Sequence, residues 1–319
     1  NTMRLRNGGV EFDKEARFYP GQNDNPSGDA AYNPEATCPT FELMLNRLTA
    51  KSVKDGKIEA DEEVLHAVRM YIGCTLFPGE EGTPNRQALW IYGPPNTGKT
   101  IFINALADTM GDRYSARGLG YKNFSDPLHA LRMTKRMLCF PEFSNLLPVS
   151  QFKAWTGGSP LIGKKHYGYT FEISPNGQLW FESNPPPKYA DDTGAVATRL
   201  ILVDCRNPYN ESEIRALGKS IKDVMKRERS GILNFMMNCW REYVESGQGE
   251  IKLSDRLKDN VAKVEKSNNH ALRFLQGYAL IKNNRTESSL LDAYKTYQSY
   301  CMQRGQTPTA ANRFIVTFN

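Results

Sequence analysis

The sequence lacks the features that mark several classes of protein. No apolar run approaches the roughly 20 residues that a membrane-spanning helix needs, so we expect a soluble protein with no membrane partner. The six cysteines are widely scattered, with no C-x-x-C pair and no histidine at zinc-ligand spacing. This pattern argues against a zinc site and is typical of reduced, buried thiols in a cytosolic protein.

Other absences concern the organisation of the chain. It contains no internal repeat, no low-complexity segment and no charged-then-apolar leader. Because it starts at Asn1 rather than Met, we expect it to be part of a longer protein. The formal net charge of +6 is modest for 319 residues and permits a nucleic-acid partner without requiring one. With 39% hydrophobic residues the chain can bury a sizeable core, in one large domain with appendages or in two domains.

One stretch fills every fixed position of the phosphate-binding pattern G-x-x-x-x-G-K-[ST]. Its residues are Gly93, Pro94, Pro95, Asn96, Thr97, Gly98, Lys99 and Thr100. The apolar run at 88–92 predicts a buried strand before it, and the composition of 101–107 predicts a helix after it. Its glycines let backbone N–H groups face phosphate oxygens, Lys99 can reach the β- and γ-phosphates, and the Thr100 hydroxyl can bind Mg²⁺. The sequence therefore predicts a site for a nucleoside triphosphate, ATP in our interpretation, together with Mg²⁺.

The rest of the pattern predicts an α/β fold whose sheet has substantial parallel character. Helical segments alternate with further apolar runs of strand length, which lie at 137–140, 178–182 and 199–203. We expect an N-terminal extension and linker with little core (1–39), a helical subdomain (40–84), a P-loop sheet core (85–210) and a mostly helical C-terminal region (211–319). The helices are expected near 40–48, 61–72, 123–134, 150–155, 214–228, 232–237, 270–280 and 288–304.

Three details of this pattern can be checked individually. Thr40 is the expected N-cap of the first helix, and Asp61 opens the second. The chain ends in the apolar run 314–318, which we expect to be a strand, and one interpretation of this end is a truncated winged-helix module.

Three polar residues stand at strand ends where they can complete a nucleotide site. Glu142 follows the run at 137–140, but Pro141 occupies the place of a second acid, so we expect Glu142 to act chiefly on water and to share the metal with Thr100. Asn184 closes the next run and can sense the γ-phosphate. Arg199 enters the last run and is a candidate arginine finger, which can act from a neighbouring subunit. Alternatively, Glu142 is a surface charge at a strand end, Asn184 is a turn residue and Arg199 is a surface arginine.

The order of five segments carries a family resemblance. The segments are GPPNTGKT, MLCFPEFS, TGGSPLIGKKHYGYTFEI, LWFESN and TRLILV, all within residues 85–205. This order resembles that of superfamily 3 (AAA+-like) helicases, in which these are the Walker A, Walker B, DNA-binding hairpin, sensor and arginine-finger motifs. The chain is most similar to the C-terminal helicase domain of phage and plasmid primase-helicases, related to the poxvirus primase-helicase. Weaker similarities flank the core, at 33–39, 231–235 and 294–305.

The resemblance implies an ATP hydrolase that works as a ring helicase, and we expect the ring to be a hexamer of identical subunits. It implies translocation on single-stranded DNA during phage or plasmid replication in the host cytoplasm, with a primase or primase-polymerase domain upstream. Lys99 and Thr100 would bind nucleotide and Mg²⁺, Glu142 would activate water, Asn184 would be the sensor, and Arg199 would be the finger of a neighbour.

The same resemblance implies a DNA-binding hairpin. Viral relatives carry a Lys-His pair at the tip of a hairpin that lines a central channel, and Lys165 and His166, preceded by Lys164, occupy that place here. Cations on a turn make contacts with phosphates that do not depend on base sequence. A basic triplet of this kind is otherwise often a solvated surface.

Two other functions remain open on the sequence. The first is a nucleotide-dependent DNA-binding or loading module with weak or no unwinding, in which Pro141 leaves the site a binding switch. The second is a small phosphoryl-transfer enzyme, against which the basic hairpin and the lack of an arginine-lined lid argue.

Overall fold

The computed structural model describes most of the 319-residue chain. The described residues are 2–12, 16–21, 30–76, 85–120, 135–164, 170–173, 177–191, 193–217, 221–269, 271–272, 274–275, 277, 290–304 and 308–318. Among the helices in these ranges, none combines the length and the apolar composition that crossing a membrane requires.

The strands of the described residues are, in chain order, β1 (Thr2–Leu5), β2 (Gly8–Phe12), β3 (Ala16–Pro20), β4 (Ser52–Lys54), β5 (Lys57–Glu59), β6 (Ala88–Tyr92), β7 (Ser115–Ala116), β8 (Met137–Phe140), β9 (Leu146–Leu147), β10 (Leu161–Lys164), β11 (Thr170–Ile173), β12 (Gln178–Ser183), β13 (Lys188–Tyr189) and β14 (Leu200–Asp204). The helices are α1 (Pro39–Thr49), α2 (Glu62–Thr75), α3 (Lys99–Met110), α4 (Val149–Gly157), α5 (Glu211–Leu217), α6 (Ile221–Arg227), α7 (Arg229–Glu245), α8 (Asp255–Asn268), α9 (Leu290–Gln303) and α10 (Ala311–Phe318).

A five-stranded parallel sheet forms the centre of the fold, in the order β14-β6-β12-β8-β7. Strands β6, β8 and β14 are nearly continuous apolar runs buried on both faces, as expected of parallel strands covered by helices. Because all five strands run in one direction, the loops after β6, β8 and β12 meet at one edge, which we call the carboxyl edge. The prediction of an α/β fold with a parallel sheet is confirmed.

Successive side chains of β12 point to opposite faces of the sheet and enter two different clusters. Trp180 lies on the face covered by α2 and α3, with its ring centroid 5.1 Å from that of Tyr71. Phe181 lies on the other face, stacked between Trp90 at 4.5 Å and Phe140 at 4.8 Å. Fully burying each of these side chains contributes about 1.5–3 kcal/mol, so the strands form a rigid base for the loops at the carboxyl edge.

The expectation that residues 1–39 contain little core is wrong. Strands β1, β2 and β3 form an antiparallel sheet, and apolar side chains at every second position of it are almost fully buried, namely Met3, Leu5, Val10 and Phe12. The ring of Phe12 meets the edge of Trp240 on α7 at 5.9 Å. The turn residues in this segment connect the strands, and the period of two between apolar residues decides the structure.

The expectation of a final strand at 314–318 is also wrong, because this run lies in helix α10. Phe314 is buried against α9, with its ring centroid 4.7 Å from that of Tyr297. A helix satisfies its own backbone hydrogen bonds, whereas a strand would need a partner, so packing overrides the strand propensity of the apolar run. The winged-helix interpretation stays a prediction.

Most of the remaining predictions of helices and strands are confirmed. Asp61 caps α2 by accepting a 3.2 Å bond from the Val64 N–H, as expected, but α1 begins at Pro39, so its N-cap is Cys38 and not Thr40. The expected helix at 214–228 is two helices, α5 and α6. The expected helix at 123–134 and most of the one at 270–280 lie outside the described residues.

The boundaries predicted at 39, 84 and 210 stay predictions. One hydrophobic cluster contains residues of all four predicted segments, among them Met3, Phe41, Leu89 and Ile232. Helices α1 and α2 therefore pack on the same core as α3 and α7.

Candidate nucleotide-binding site

The phosphate-binding loop joins β6 to α3 at the carboxyl edge, and its backbone requires residues that tolerate positive φ. Gly93, Asn96 and Gly98 have φ of +142°, +63° and +87°. A Cβ on Gly93 would lie 2.2 Å from the carbonyl oxygen of Cys205, so no side chain fits there. Gly98 is the N-cap of α3, so the partial positive charge of the helix N-terminus is directed at this loop.

Lys99 is folded over the loop. Its Nζ donates to the carbonyl oxygens of Gly93 and Pro94 at 2.9 and 2.8 Å, and it lies 3.1 Å from Thr97 Oγ1 and 3.3 Å from Asn184 Oδ1. Burial lowers the pKa of Lys99, although the side chain keeps these oxygen partners. Because every contact is with an oxygen atom, phosphate oxygens are suitable replacements for them.

The hydroxyl of Thr100 donates to a carboxylate that sequence reasoning missed. Thr100 Oγ1 lies 2.9 Å from Oε1 of Glu182, which is on β12 and only 3% exposed. Oε2 of Glu182 has no hydrogen-bond partner among the described residues. Burial raises the pKa of Glu182 above its ordinary value, although the Thr100 hydroxyl and, more weakly, the Lys99 ammonium lower it. The available signal was a charged residue inside an otherwise apolar strand, QLWFES.

Glu142 stands in the turn directly after β8, with its side chain exposed and its φ at +49°. A left-handed conformation is rare for glutamate and costs of order 1–2 kcal/mol relative to ordinary backbone. The next residue anchors this turn, because the Phe143 N–H donates to the carbonyl oxygen of Glu182 at 2.9 Å. Glu142 thereby borders the same cavity of about 280 Å³ as the phosphate-binding loop.

Asn184 completes the wall of this cavity at the end of β12. Its carbonyl oxygen accepts a 3.2 Å bond from the Gly93 N–H, and its side-chain oxygen faces Lys99. The loop after β12 is therefore joined to the phosphate-binding loop through both backbone and side chain. The structure brings Lys99, Thr100, Glu142 and Asn184 together, as the sequence predicted, and the roles assigned to them stay predictions.

Arg199 is not part of this group within one chain. It ends a 3-10 turn (Ala197–Arg199) that enters β14 from the opposite edge of the sheet, and its Nη1 donates to the Ala195 carbonyl oxygen at 2.5 Å. β14 has five residues, so Arg199 lies about 17 Å along the strand from the carboxyl edge, at 3.3 Å a residue.

The basic hairpin is described only in part. β10 and β11 pair as antiparallel strands, so the predicted hairpin is confirmed, and its first strand ends at Lys164. Lys165 and His166 lie outside the described residues, and their predicted contact with DNA stays a prediction.

The residues present fit a Mg²⁺ ion bound with nucleotide. A hydroxyl and an unpartnered carboxylate oxygen lie side by side at Thr100 and Glu182, and Mg²⁺ prefers such oxygen ligands. In the described part of the chain no group of three or more His, Cys, Asp or Glu side chains could hold a metal ion without nucleotide. Phosphate oxygens would therefore have to supply part of the coordination.

Comparisons with known proteins agree with this geometry. The family model of the parvovirus non-structural protein NS1 matches residues 71–115, which include β6, the phosphate-binding loop and α3. The mitochondrial chaperone BCS1 of Danio rerio is 34% identical over 65 residues, which is 20% of this chain and 16% of that protein.

Among solved structures, the A-form apo structure of the NrS-1 C-terminal region matches 89% of this chain and 77% of its own, with 12% sequence identity and a TM-score of 0.52. The match to the X-ray structure of JCV helicase covers 85% of this chain and 67% of the JCV chain, with 13% sequence identity and a TM-score of 0.33. The chain is thus similar to parvovirus NS1 around its phosphate-binding loop, and it shares the fold of the NrS-1 C-terminal region over most of its length.

Proposed function

We propose that this chain is the ATP-hydrolysing motor of a ring helicase that translocates on single-stranded DNA. One observation carries the proposal: Lys99, Thr100, Glu142 and Asn184, from the loops after three different strands, border one cavity of about 280 Å³. A phosphate-binding loop alone supports only nucleotide binding. The added carboxylate and amide are groups that hydrolysis of the γ-phosphate needs.

The side chains divide the work of hydrolysis. Lys99 exchanges its loop oxygens for β- and γ-phosphate oxygens, and backbone N–H groups at the start of α3 bind the remaining charge. Thr100 would hold the Mg²⁺ ion that comes with the nucleotide, and that ion would offset the negative charge of the phosphates. Glu142 takes a proton from the attacking water, and Asn184 orients that water.

The position of Arg199 supports assembly into a ring. Because Arg199 lies at the opposite edge of the sheet from its own loop, it can complete a nucleotide site only in a neighbouring subunit. A hexamer, translocation in phage or plasmid replication, and a primase or primase-polymerase domain upstream belong to the same proposal. The family resemblance of the five core segments and the match to the NS1 model support them.

The hairpin of β10 and β11 is the proposed contact with DNA. Along the chain it lies between β8, which Glu142 follows, and β12, which Asn184 follows, so we expect a change at the nucleotide site to reach it through the segments that join it to these strands. Lys164, Lys165 and His166 would bind the phosphates of the strand.

A second candidate function is a nucleotide-dependent DNA-binding or loading module. Pro141 favours it, because the acid expected beside Glu142 is absent. This module would bind ATP tightly with little turnover.

The deciding experiment measures ATP hydrolysis with and without single-stranded DNA. We expect strong stimulation by DNA that Lys99→Ala abolishes, whereas tight nucleotide binding without stimulated turnover would favour the loading module. Lys165→Ala with His166→Ala should remove the stimulation while leaving nucleotide affinity unchanged. The matched control is Lys54→Ala with Lys57→Ala, which removes two exposed cations from the other two-stranded hairpin.

The salt dependence of DNA binding tests the hairpin separately. Each phosphate contact to a single strand contributes a slope of about −0.7 in log affinity against log salt, so losing two contacts should reduce the slope by about 1.4. An unchanged slope in the Lys165→Ala, His166→Ala variant would contradict the assignment of the hairpin.

A further inference from the structure

The acid that lies closest to Thr100 comes from an unexpected strand. The sheet order sets β12 between β6, which leads into the phosphate-binding loop, and β8, which leads to Glu142. Pro141 removes the usual acid at the end of β8. Glu182, on the intervening strand, is the carboxylate that contacts the Thr100 hydroxyl.

The direction of that contact matters for a metal. Thr100 donates its only hydroxyl proton to Oε1 of Glu182 at 2.9 Å, so the lone pairs of its oxygen are directed away from the carboxylate. An oxygen in this state is ready to accept a cation. In phosphate-loop enzymes the metal is held by this hydroxyl together with a nearby carboxylate.

The second carboxylate oxygen of Glu182 provides evidence that is independent of the Thr100 contact. Glu182 is 97% buried, its Oε2 has no partner among the described residues, and the side chain borders the cavity of the phosphate-binding loop. The nearest lysine, Lys99, directs its ammonium to four other oxygen atoms. A buried carboxylate oxygen without a partner is costly, and a cation in the cavity would remove that cost.

We infer that Glu182 is the metal-side carboxylate of the nucleotide site and replaces the acid that Pro141 displaces. Oε2 of Glu182 would ligate the Mg²⁺ ion that accompanies nucleotide, and Oε1, which accepts the Thr100 proton, would leave the lone pairs of that hydroxyl available to the same ion. Glu142 is left to act on water alone. The inference rests on the proposed function only in requiring that the site binds nucleotide with Mg²⁺.

Metal affinity in the nucleotide complex tests the inference without measuring turnover. Mn²⁺ replaces Mg²⁺, and its binding to the protein with ADP is followed by electron paramagnetic resonance. We expect Glu182→Gln, which keeps the size of the side chain and removes the charge, to weaken Mn²⁺ affinity about 10- to 100-fold. ADP affinity in EDTA should stay the same or increase. The matched control is Glu142→Gln, which should leave Mn²⁺ affinity within about twofold of wild type.

Two further variants guard against a merely structural effect. Glu182→Asp retains the charge and should recover part of the Mn²⁺ affinity. Thr100→Ala should weaken Mn²⁺ binding too, and its effect should not add to that of Glu182→Gln, because the two groups act as a unit. Unchanged Mn²⁺ affinity in Glu182→Gln, in a variant that is folded and no less stable than wild type, would overturn the inference. Failure of DNA-stimulated hydrolysis in the wild type would overturn the motor proposal and leave the metal measurement intact.

Discussion

Replacing Arg199 by alanine tests the ring model most directly, because one chain cannot bring Arg199 to its own nucleotide. The five residues of β14 separate Arg199 from the carboxyl edge by about 17 Å, a span that no arginine side chain covers. An arginine finger contributes about 10³- to 10⁵-fold to turnover. We therefore expect Arg199→Ala to lower kcat at least about a thousandfold, which corresponds to about 4 kcal/mol of transition-state stabilisation.

The fold should survive this substitution. Arg199 is half-buried and donates one hydrogen bond to the Ala195 carbonyl oxygen, so its removal should cost about 1 kcal/mol in unfolding free energy. Nucleotide affinity and ring assembly should be unchanged. Arg215→Ala is the matched control, because Arg215 is exposed on α5 and, in the described part of the chain, its salt-bridge partner is the equally exposed Glu211.

The assay mixes two inactive variants and measures DNA-stimulated hydrolysis. Lys99→Ala subunits lack a working loop but carry Arg199, and Arg199→Ala subunits carry the loop without the finger. In rings formed at a one-to-one ratio, roughly a quarter of the interfaces unite an intact loop with an intact finger, so about a quarter of wild-type activity should return if sites act independently. Mixed rings that stay inactive, while each variant still assembles, would refute the assignment of Arg199.

Three other predictions concern the folded chain. Arg256 forms a salt bridge with Asp61, which is 5% exposed, so Arg256→Met leaves a buried carboxylate without its cation. This substitution should lower the free energy of unfolding, measured in urea, by about 3–5 kcal/mol, and adding Asp61→Asn should recover part of the loss. Full additivity of the two changes would contradict this pairing. Glu142→Asn removes the carboxylate and should therefore abolish hydrolysis. Because asparagine tolerates a φ of +49° better than glutamate does, the free energy of unfolding should stay equal or rise by up to about 1 kcal/mol. Burial raises the pKa of Glu182 above its unfolded value, so the folded state binds the extra proton and the wild type loses stability as pH rises above about 4.3. Glu182→Gln should therefore be more stable than wild type at pH 8, and the difference should vanish near pH 4; a difference that is the same at both values would exclude this coupling.

The sheet was predictable because its strands are buried on both faces. Runs such as 88–92 and 137–140 are apolar throughout, and only a covered parallel strand requires that. The N-terminal sheet was missed because its strands are short and alternate, and because Asn7 and the two glycines that open β2 are residues typical of a loop. The final helix was missed because an apolar run of helical length also fits a strand, and only the contact of Phe314 with α9 decides between the two.

The candidate site was predictable where residue type and strand end coincide. Lys99, Glu142 and Asn184 each follow an apolar run, and parallel strands bring such positions to one edge. Glu182 lies inside its strand, one residue before the last, so position along the chain gave no reason to select it. Its proximity to Thr100 depends on the order of strands in the sheet, which the sequence does not specify.

The separation of the two carboxylates has a functional consequence that also distinguishes the motor from the loading module. If one strand end carried both acids, a change there would disturb water and metal together. Here Glu142 comes from β8 and Glu182 from β12, so metal binding and water activation can fail independently. Glu142→Gln should hold ATP and Mg²⁺ without turnover and keep its DNA affinity, whereas Glu182→Gln should lose the metal first. A loading module needs only to bind ATP, Mg²⁺ and DNA, which Glu142→Gln should still do. A motor must also hydrolyse ATP and therefore needs both carboxylates. If DNA-stimulated ATP hydrolysis by Glu142→Gln is as fast as that of an active wild type, Glu142 is a surface charge, whereas a wild type that binds ATP without turnover is a binding switch.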